Sequence, residues 1–262
     1  MATISLSGVL DRHATGFHSV VPFDPARDRL HAFDFTERNT TLSPNDIADT
    51  ECFAAYINRT LQSQQARYGF GGYNEHRTLY ARSKHFGSTA SAATDTASAA
   101  TDTASLPSSA IPPSEEPRRL HLGIDIWGPA GTRVMAPLAG IVHSFAFNNN
   151  DSDYGATLIL THQLDGIVFH TLYGHLSLNS LKNLEEGQRV RAGEVIAEFG
   201  MRFENGNWPP HLHFQLIEDM QGWKGDYPGV CRYSERQQWL DNCPDPDLIL
   251  RMGLKAFDSA II

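Results

Sequence analysis

The sequence contains no run of 18 consecutive apolar residues, so it offers no membrane-spanning helix. Its opening stretch, MATISLSGVLDRHATGFHSV, lacks a basic segment followed by a long apolar one. No export signal is therefore readable, and the expected location is cytoplasmic as written, or periplasm or cell envelope if export takes another route. Cysteine is scarce: Cys52, Cys231 and Cys243 are three in number with no C-x-x-C pair, which argues against a disulfide framework and leaves a Cys231–Cys243 bridge open. Cationic residues are also few, 21 against 30 acidic, for a net charge of −9 and no Lys/Arg block. A phosphate backbone is thus not an expected partner. There is no H-E-x-x-H pair either, so the commonest helical zinc-protease signature is absent.

What remains is a chain of 262 residues, 41% hydrophobic, sized for one core or one core plus a smaller lobe. Composition divides it. Residues 88–117, STASAATDTASAATDTASLPSSAIPPSEEP, have almost nothing to bury and read as a flexible linker. We expect an N-terminal region over 1–87, a β domain over 118–222 and a covering segment with one short helix over 223–262. In the N-terminal region Ser43 and Pro44 read as the start of one amphipathic helix, with Phe53, Ile57 and Leu61 as its apolar stripe and its end near Gly69. YGFGGYNEHRTLYARSKHF reads as a packed loop leading into a short strand or helix, and the first 40 residues show no clear period.

The middle of the chain reads as strands at Gly140–Phe147, Ala156–Thr161, Ile167–Tyr173, Val195–Phe199 and His211–Ile217, bounded by Gly, Asn, Asp and Pro clusters. The spacings leave no room for crossover helices. The fold class is therefore mainly β, α+β overall, with an antiparallel sheet.

Side chains alternate along a strand, so in PHLHFQL His211 and His213 share one face while Leu212 and Phe214 take the other. Two neighbouring imidazoles are costly to bury without a shared role, which points to a metal or acid–base site. Upstream, His121 and Asp125 in HLGID are four residues apart with Gly123 between them allowing close approach. Imidazole plus carboxylate suits Zn²⁺, and one histidine of the pair would complete three protein ligands with a position left open for water. His175, in YGHL, is a third element. His143, His162 and His170 each stand singly in a β run and are expected to have structural or surface roles.

Taken in order, H-x-x-x-D, YGHL, GQRVRAGEVIAEFG and PHLHF, with GTRVMAPLAGIV between the first two, resemble the zinc endopeptidases of the lysostaphin and LytM type, peptidase family M23, from Arg118 to Ile217. The resemblance implies a β-sheet/β-sandwich hybrid fold. It implies His121, Asp125 and His213 as zinc ligands, and His175 and His211 as acid–base or transition-state groups titrating near neutral pH. It implies peptidoglycan, or a glycine-containing crosslink peptide, as substrate. In some family members an N-terminal segment occludes the metal, a role open here to Asn74, Glu75 or His76. FENGNWPP replaces the family's small-residue loop before the H-x-H strand, so Trp208, Pro209 and Pro210 reshape the expected cleft wall. Two other readings stand beside this one: an inactive M23-like binder, and a lipoyl- or biotinyl-like carrier, for which Lys182 does not sit in the required hairpin. Nothing in the sequence speaks to oligomeric state.

Overall fold

Runs of β-branched and aromatic residues separated by turn clusters build the central sheet in a computed structural model of the chain, which describes residues 5–82 and 116–253. In chain order the elements are α1 (Leu6–Arg12), β1 (Leu30–Phe33), α2 (Pro44–Ala48), α3 (Thr50–Ser63), β2 (Tyr68–Gly71), β3 (Leu120–His121), β4 (Ile124–Trp127) and β5 (Arg133–Met135). They continue with β6 (Gly140–Asn148), β7 (Gly155–Leu164), β8 (Ile167–Leu176), β9 (Arg189–Val190), β10 (Val195–Glu198), β11 (His211–Ile217), β12 (Val230–Cys231), α4 (Arg236–Asn242) and α5 (Asp247–Leu250). The protein is mainly β. An eight-stranded sheet runs β1-β2-β4-β11-β8-β7-β6-β9, and β5–β10 and β3–β12 form two small pairs. Among the described pairings only β1–β2 is parallel. The expected linker lies outside the described residues except for its last two positions.

The central strands fall where the sequence places them. The N-terminal region differs in three ways. The single expected helix is two, because Asp49 adopts an extended φ of −105° and its side chain accepts the Cys52 amide at 2.8 Å, starting α3 afresh. Ser43 caps α2 in a capping box with Asp46. The helix ends at Ser63, short of Gly69. Finally, the glycine-rich stretch expected as a loop is strand β2, which pairs with β4 and so carries the N-terminal region into the main sheet. Gly71 is required there: a Cβ would lie 2.5 Å from Arg77 Nη2 and 3.1 Å from the Phe35 ring. At the other end of the chain, one expected helix is again two, and Cys231 and Cys243 are both free and buried.

The two sheet faces have different fillings. Ile124, Ile126, Tyr173, Leu212, Phe214 and Leu216 pack into the larger core. On the opposite side Phe53, Ile57 and Leu61 of α3 meet Phe33, Phe35, Trp127 and Trp208. Each such burial contributes roughly 1.5–3 kcal/mol, which is what holds a helix of this length that would be marginal alone.

His162 serves the core. His162 is 2% exposed, with Nδ1 3.0 Å from the Ala139 carbonyl and Nε2 2.7 Å from Thr171 Oγ1. Burial pulls its pKa from 6.5 down to about 4. Its neutral form is therefore native, while the unfolded chain takes up a proton below pH 6.5. The contribution is full above that pH and lost as pH falls to about 4, up to about 3 kcal/mol. Urea midpoints should drop between pH 7 and 5, and the drop should be smaller in His162→Gln; equal drops in both proteins would show that His162 does not set this pH dependence.

Candidate metal centre and its surroundings

Strand pairing assembles the site. In β11 against β4, His213 lies opposite Asp125 and His211 opposite Trp127. His121 enters from β3, and the chain bends at Gly123, where a Cβ would come within 2.6 Å of the His213 ring. His121, Asp125 and His213 thus converge with one donor atom each, all within 4.8 Å of one another. The three donors form a triangle: His121 Nε2 to His213 Nδ1 is 3.0 Å, His213 Nδ1 to Asp125 Oδ1 is 3.0 Å, and His121 Nε2 to Asp125 Oδ1 is 3.3 Å.

The remaining ring nitrogens decide where the protons are. His121 Nδ1 faces the Gly72 carbonyl at 3.0 Å, so that nitrogen donates and Nε2 keeps its lone pair. His213 Nε2 faces Gln215 Oε1 at 2.9 Å. The Gln215 amide nitrogen donates to the Pro228 carbonyl at 3.1 Å, which fixes the amide orientation, so His213 Nε2 donates and Nδ1 is left basic. Three electron-rich atoms therefore face one another. A tetrahedral ion about 2.0–2.1 Å from such donors needs them roughly 3.3 Å apart, close to what the triangle provides. The residues fit zinc.

Burial lowers the His121 pKa to about 3, with the Arg77 charge acting in the same direction. Burial by itself pushes the Asp125 carboxyl up, but His121 and Arg77 outweigh it and hold the group well below the usual carboxylate range. Both groups are thus in the protonation states a metal requires.

His175 and His211 flank the triangle. The His211 ring is sandwiched, 3.9 Å from Trp127 in a near-parallel stack and 4.0 Å from His175. Its Nδ1 donates to the Pro209 carbonyl at 2.8 Å, and His175 Nδ1 donates to the Asn205 carbonyl at 2.8 Å. Each ring is thereby fixed with Nε2 as its basic nitrogen. Neither titrates near neutrality as the sequence led us to expect: burial takes His211 to about 4 and carries His175 well below its ordinary value. Both are neutral, hence ready to accept a proton, at pH 7. His175 holds a left-handed φ of 61°, a backbone conformation that a non-glycine residue rarely adopts without a local reason.

All five expected residues come together, each 6% exposed or less. The segment before the expected linker packs against them, with Asn74 N donating to the His121 carbonyl and His121 N donating to the Glu75 carbonyl, each at 2.9 Å. Asn74 Oδ1 accepts from Arg236, Glu75 binds Arg77, and the His76 ring packs on Tyr233. It also reaches the site through the Gly72 carbonyl, the Arg77 guanidinium on Asp125, and the Tyr80 ring 6.4 Å from His121. Sequence reasoning missed Arg77, Trp127, Tyr154 and Gln215. Gln215 and Trp127 carried a signal, being two residues beyond His213 and Asp125 and so on the same strand faces. Trp208, 4% exposed, packs as expected and borders His175 at 6.4 Å.

Residues 119–225 match the model of peptidase family M23. DD-carboxypeptidase/endopeptidase Mpg of Neisseria meningitidis serogroup B is 38% identical over 97 residues, covering 37% of this chain and 20% of that protein. L-Ala--D-Glu endopeptidase of Bacillus subtilis is 28% identical over 107 residues, covering 39% and 31%. The matched stretch thus spans a fifth to a third of these relatives' lengths. Among solved structures, the antimicrobial peptidase lysostaphin from Staphylococcus simulans is 27% identical with a TM-score of 0.35, covering 51% of this chain and 44% of that one. Among the described residues no helix is long and apolar enough to cross a membrane. The ordered motifs, the strand pairing and the family match agree in likening residues 119–225 of this chain to peptidase family M23.

Proposed function

We propose that the protein is a zinc-dependent endopeptidase acting on peptide bonds of peptidoglycan crosslinks. His121, Asp125 and His213 are its metal ligands, and His175 and His211 its proton-handling pair. The observation that carries this reading is the triangle of three donor atoms, 3.0–3.3 Å apart, with the second nitrogen of each ring engaged elsewhere, by the Gly72 carbonyl and by Gln215. Such an arrangement is repulsive unless a cation occupies its centre.

When bound, zinc supplies Lewis acidity to a water and to the scissile carbonyl. The chain does the rest. His175 and His211, neutral and with basic Nε2 atoms, take a proton from water and return one to the leaving amine. Trp127 stacked on His211 holds that ring in place, and Asn205 and Pro209 fix the two tautomers. The names of the two relatives, one of them an L-Ala--D-Glu endopeptidase, favour wall peptides as the substrate class. The proposed place of action is accordingly the cell envelope.

The test pairs metal content with peptidoglycan hydrolysis. We expect one zinc per chain, with peptide release lost on chelation and restored by zinc. A protein that purifies without zinc and takes up none would overturn the reading, and one that binds zinc and wall but releases no peptide would reduce it to a binding module.

A further inference from the structure

A chain of buried charges runs from the N-terminal region into the metal triangle. Glu75 Oε1 accepts the Phe35 amide at 3.0 Å, and Oε2 accepts Arg77 Nε at 2.7 Å. Arg77 Nη1 donates to Asp125 Oδ2 at 2.5 Å and to the Tyr80 hydroxyl at 3.1 Å. The guanidinium also lies 5.4 Å over the Phe35 ring and 5.8 Å over Tyr80. The Glu75 and Arg77 side chains are 0% and 1% exposed, so this is a fixed element of the interior.

The consequence lies in how Asp125 is divided. Its Oδ2 belongs to Arg77, while Oδ1 is the oxygen that faces His121 and His213. A carboxylate with both oxygens free can grip a divalent ion through one or two of them. With Oδ2 engaged, only one is offered. Resting on the zinc reading above, we propose that Arg77 is a positioning residue of the centre: it holds Asp125 as a single-oxygen ligand, which keeps the protein donor atoms at three and a position open. Glu75 in turn fixes the guanidinium. Lysine would not substitute, because a compact ammonium cannot reproduce the planar fork that spans two carboxylates.

Replacing Arg77 alone would leave Glu75 buried without its counter-charge, so the variant to make is Glu75→Gln/Arg77→Met. The glutamine side chain introduced by the first change still presents an oxygen to the Phe35 amide, and both buried charges vanish together. The readouts are zinc affinity by chelator competition and the visible spectrum of the Co²⁺-loaded protein, neither of which depends on turnover. We expect zinc to bind about 10- to 100-fold more weakly, the usual effect of losing an outer partner of a ligand. We also expect Co²⁺ absorption to weaken as Oδ2 joins the ion and the coordination number rises. Arg77→Lys, which keeps the charge, should shift the spectrum in the same direction and serves as the deciding variant if the double one does not fold. Wild-type affinity and spectrum in a folded variant would overturn the role of Arg77. A wild-type protein that binds neither ion would instead overturn the zinc reading on which it rests.

Discussion

His213→Ala abolishes zinc uptake and lowers peptide release by about 10³-fold or more, the several kcal/mol that a Lewis acid contributes to such a reaction. His213 supplies a corner of the donor triangle, and among the described residues Gln215 and Tyr154, its side-chain neighbours, lie on its Nε2 side, away from the other two donors. The strand itself should survive, since Leu212 and Phe214 hold it from the opposite face. His211→Ala is the informative companion. It should keep its zinc and still lose roughly 10²- to 10⁴-fold in rate, the range expected for a general acid–base group. Metal analysis and peptide release measured on the same two preparations separate ligand from proton carrier. Full zinc in His213→Ala, or none in His211→Ala, would exchange or erase those assignments.

Gly123→Ala should damage the centre without touching any ligand. A Cβ at that position would lie 2.6 Å from His213 Cε1 and Nε2 and 2.8 Å from the Phe214 carbonyl oxygen. The ring cannot yield without leaving Gln215, and the carbonyl belongs to β11, which is paired on both sides by β4 and β8. Forcing an extra methyl into such a place costs about 1–3 kcal/mol. We therefore expect a lower melting temperature together with weaker zinc binding. A variant that melts and binds zinc like the parent would show that the bend at Gly123 is not what seats His213.

Much of the site was legible because it rests on short-range rules. Strand alternation alone puts His211 and His213 on one face and Leu212 and Phe214 in the core, and the His121–Gly123–Asp125 spacing carries its own reason for the glycine. Gln215 and Trp127 obey the same period and were within reach. What the chain could not disclose locally is the N-terminal contribution. Gly69 and Gly71 look like loop residues, and become a strand only because aromatic rings and the Arg77 guanidinium lie where side chains would otherwise stand. Asp49 ends one helix and caps another through a side-chain bond that competes with the helical pattern of its neighbours. The near-neutral titration expected of His175 and His211 failed for a related reason, since burial depth is a property of the packed whole.

The hydrogen bond from His121 to Gly72 joins residues 49 apart and that from Arg77 to Asp125 residues 48 apart, while the ring nitrogens of His121 and His213 that face each other belong to residues 92 apart. Closing loops of this length costs entropy before any contact returns it, and folding slows as such distant pairings multiply. The geometry of the donor triangle therefore draws on the first third of the chain as well as on the strands of the matched stretch. A fragment cut to residues 119–225 would keep the three donor side chains and lose the Gly72 carbonyl and the Arg77 guanidinium that hold two of them.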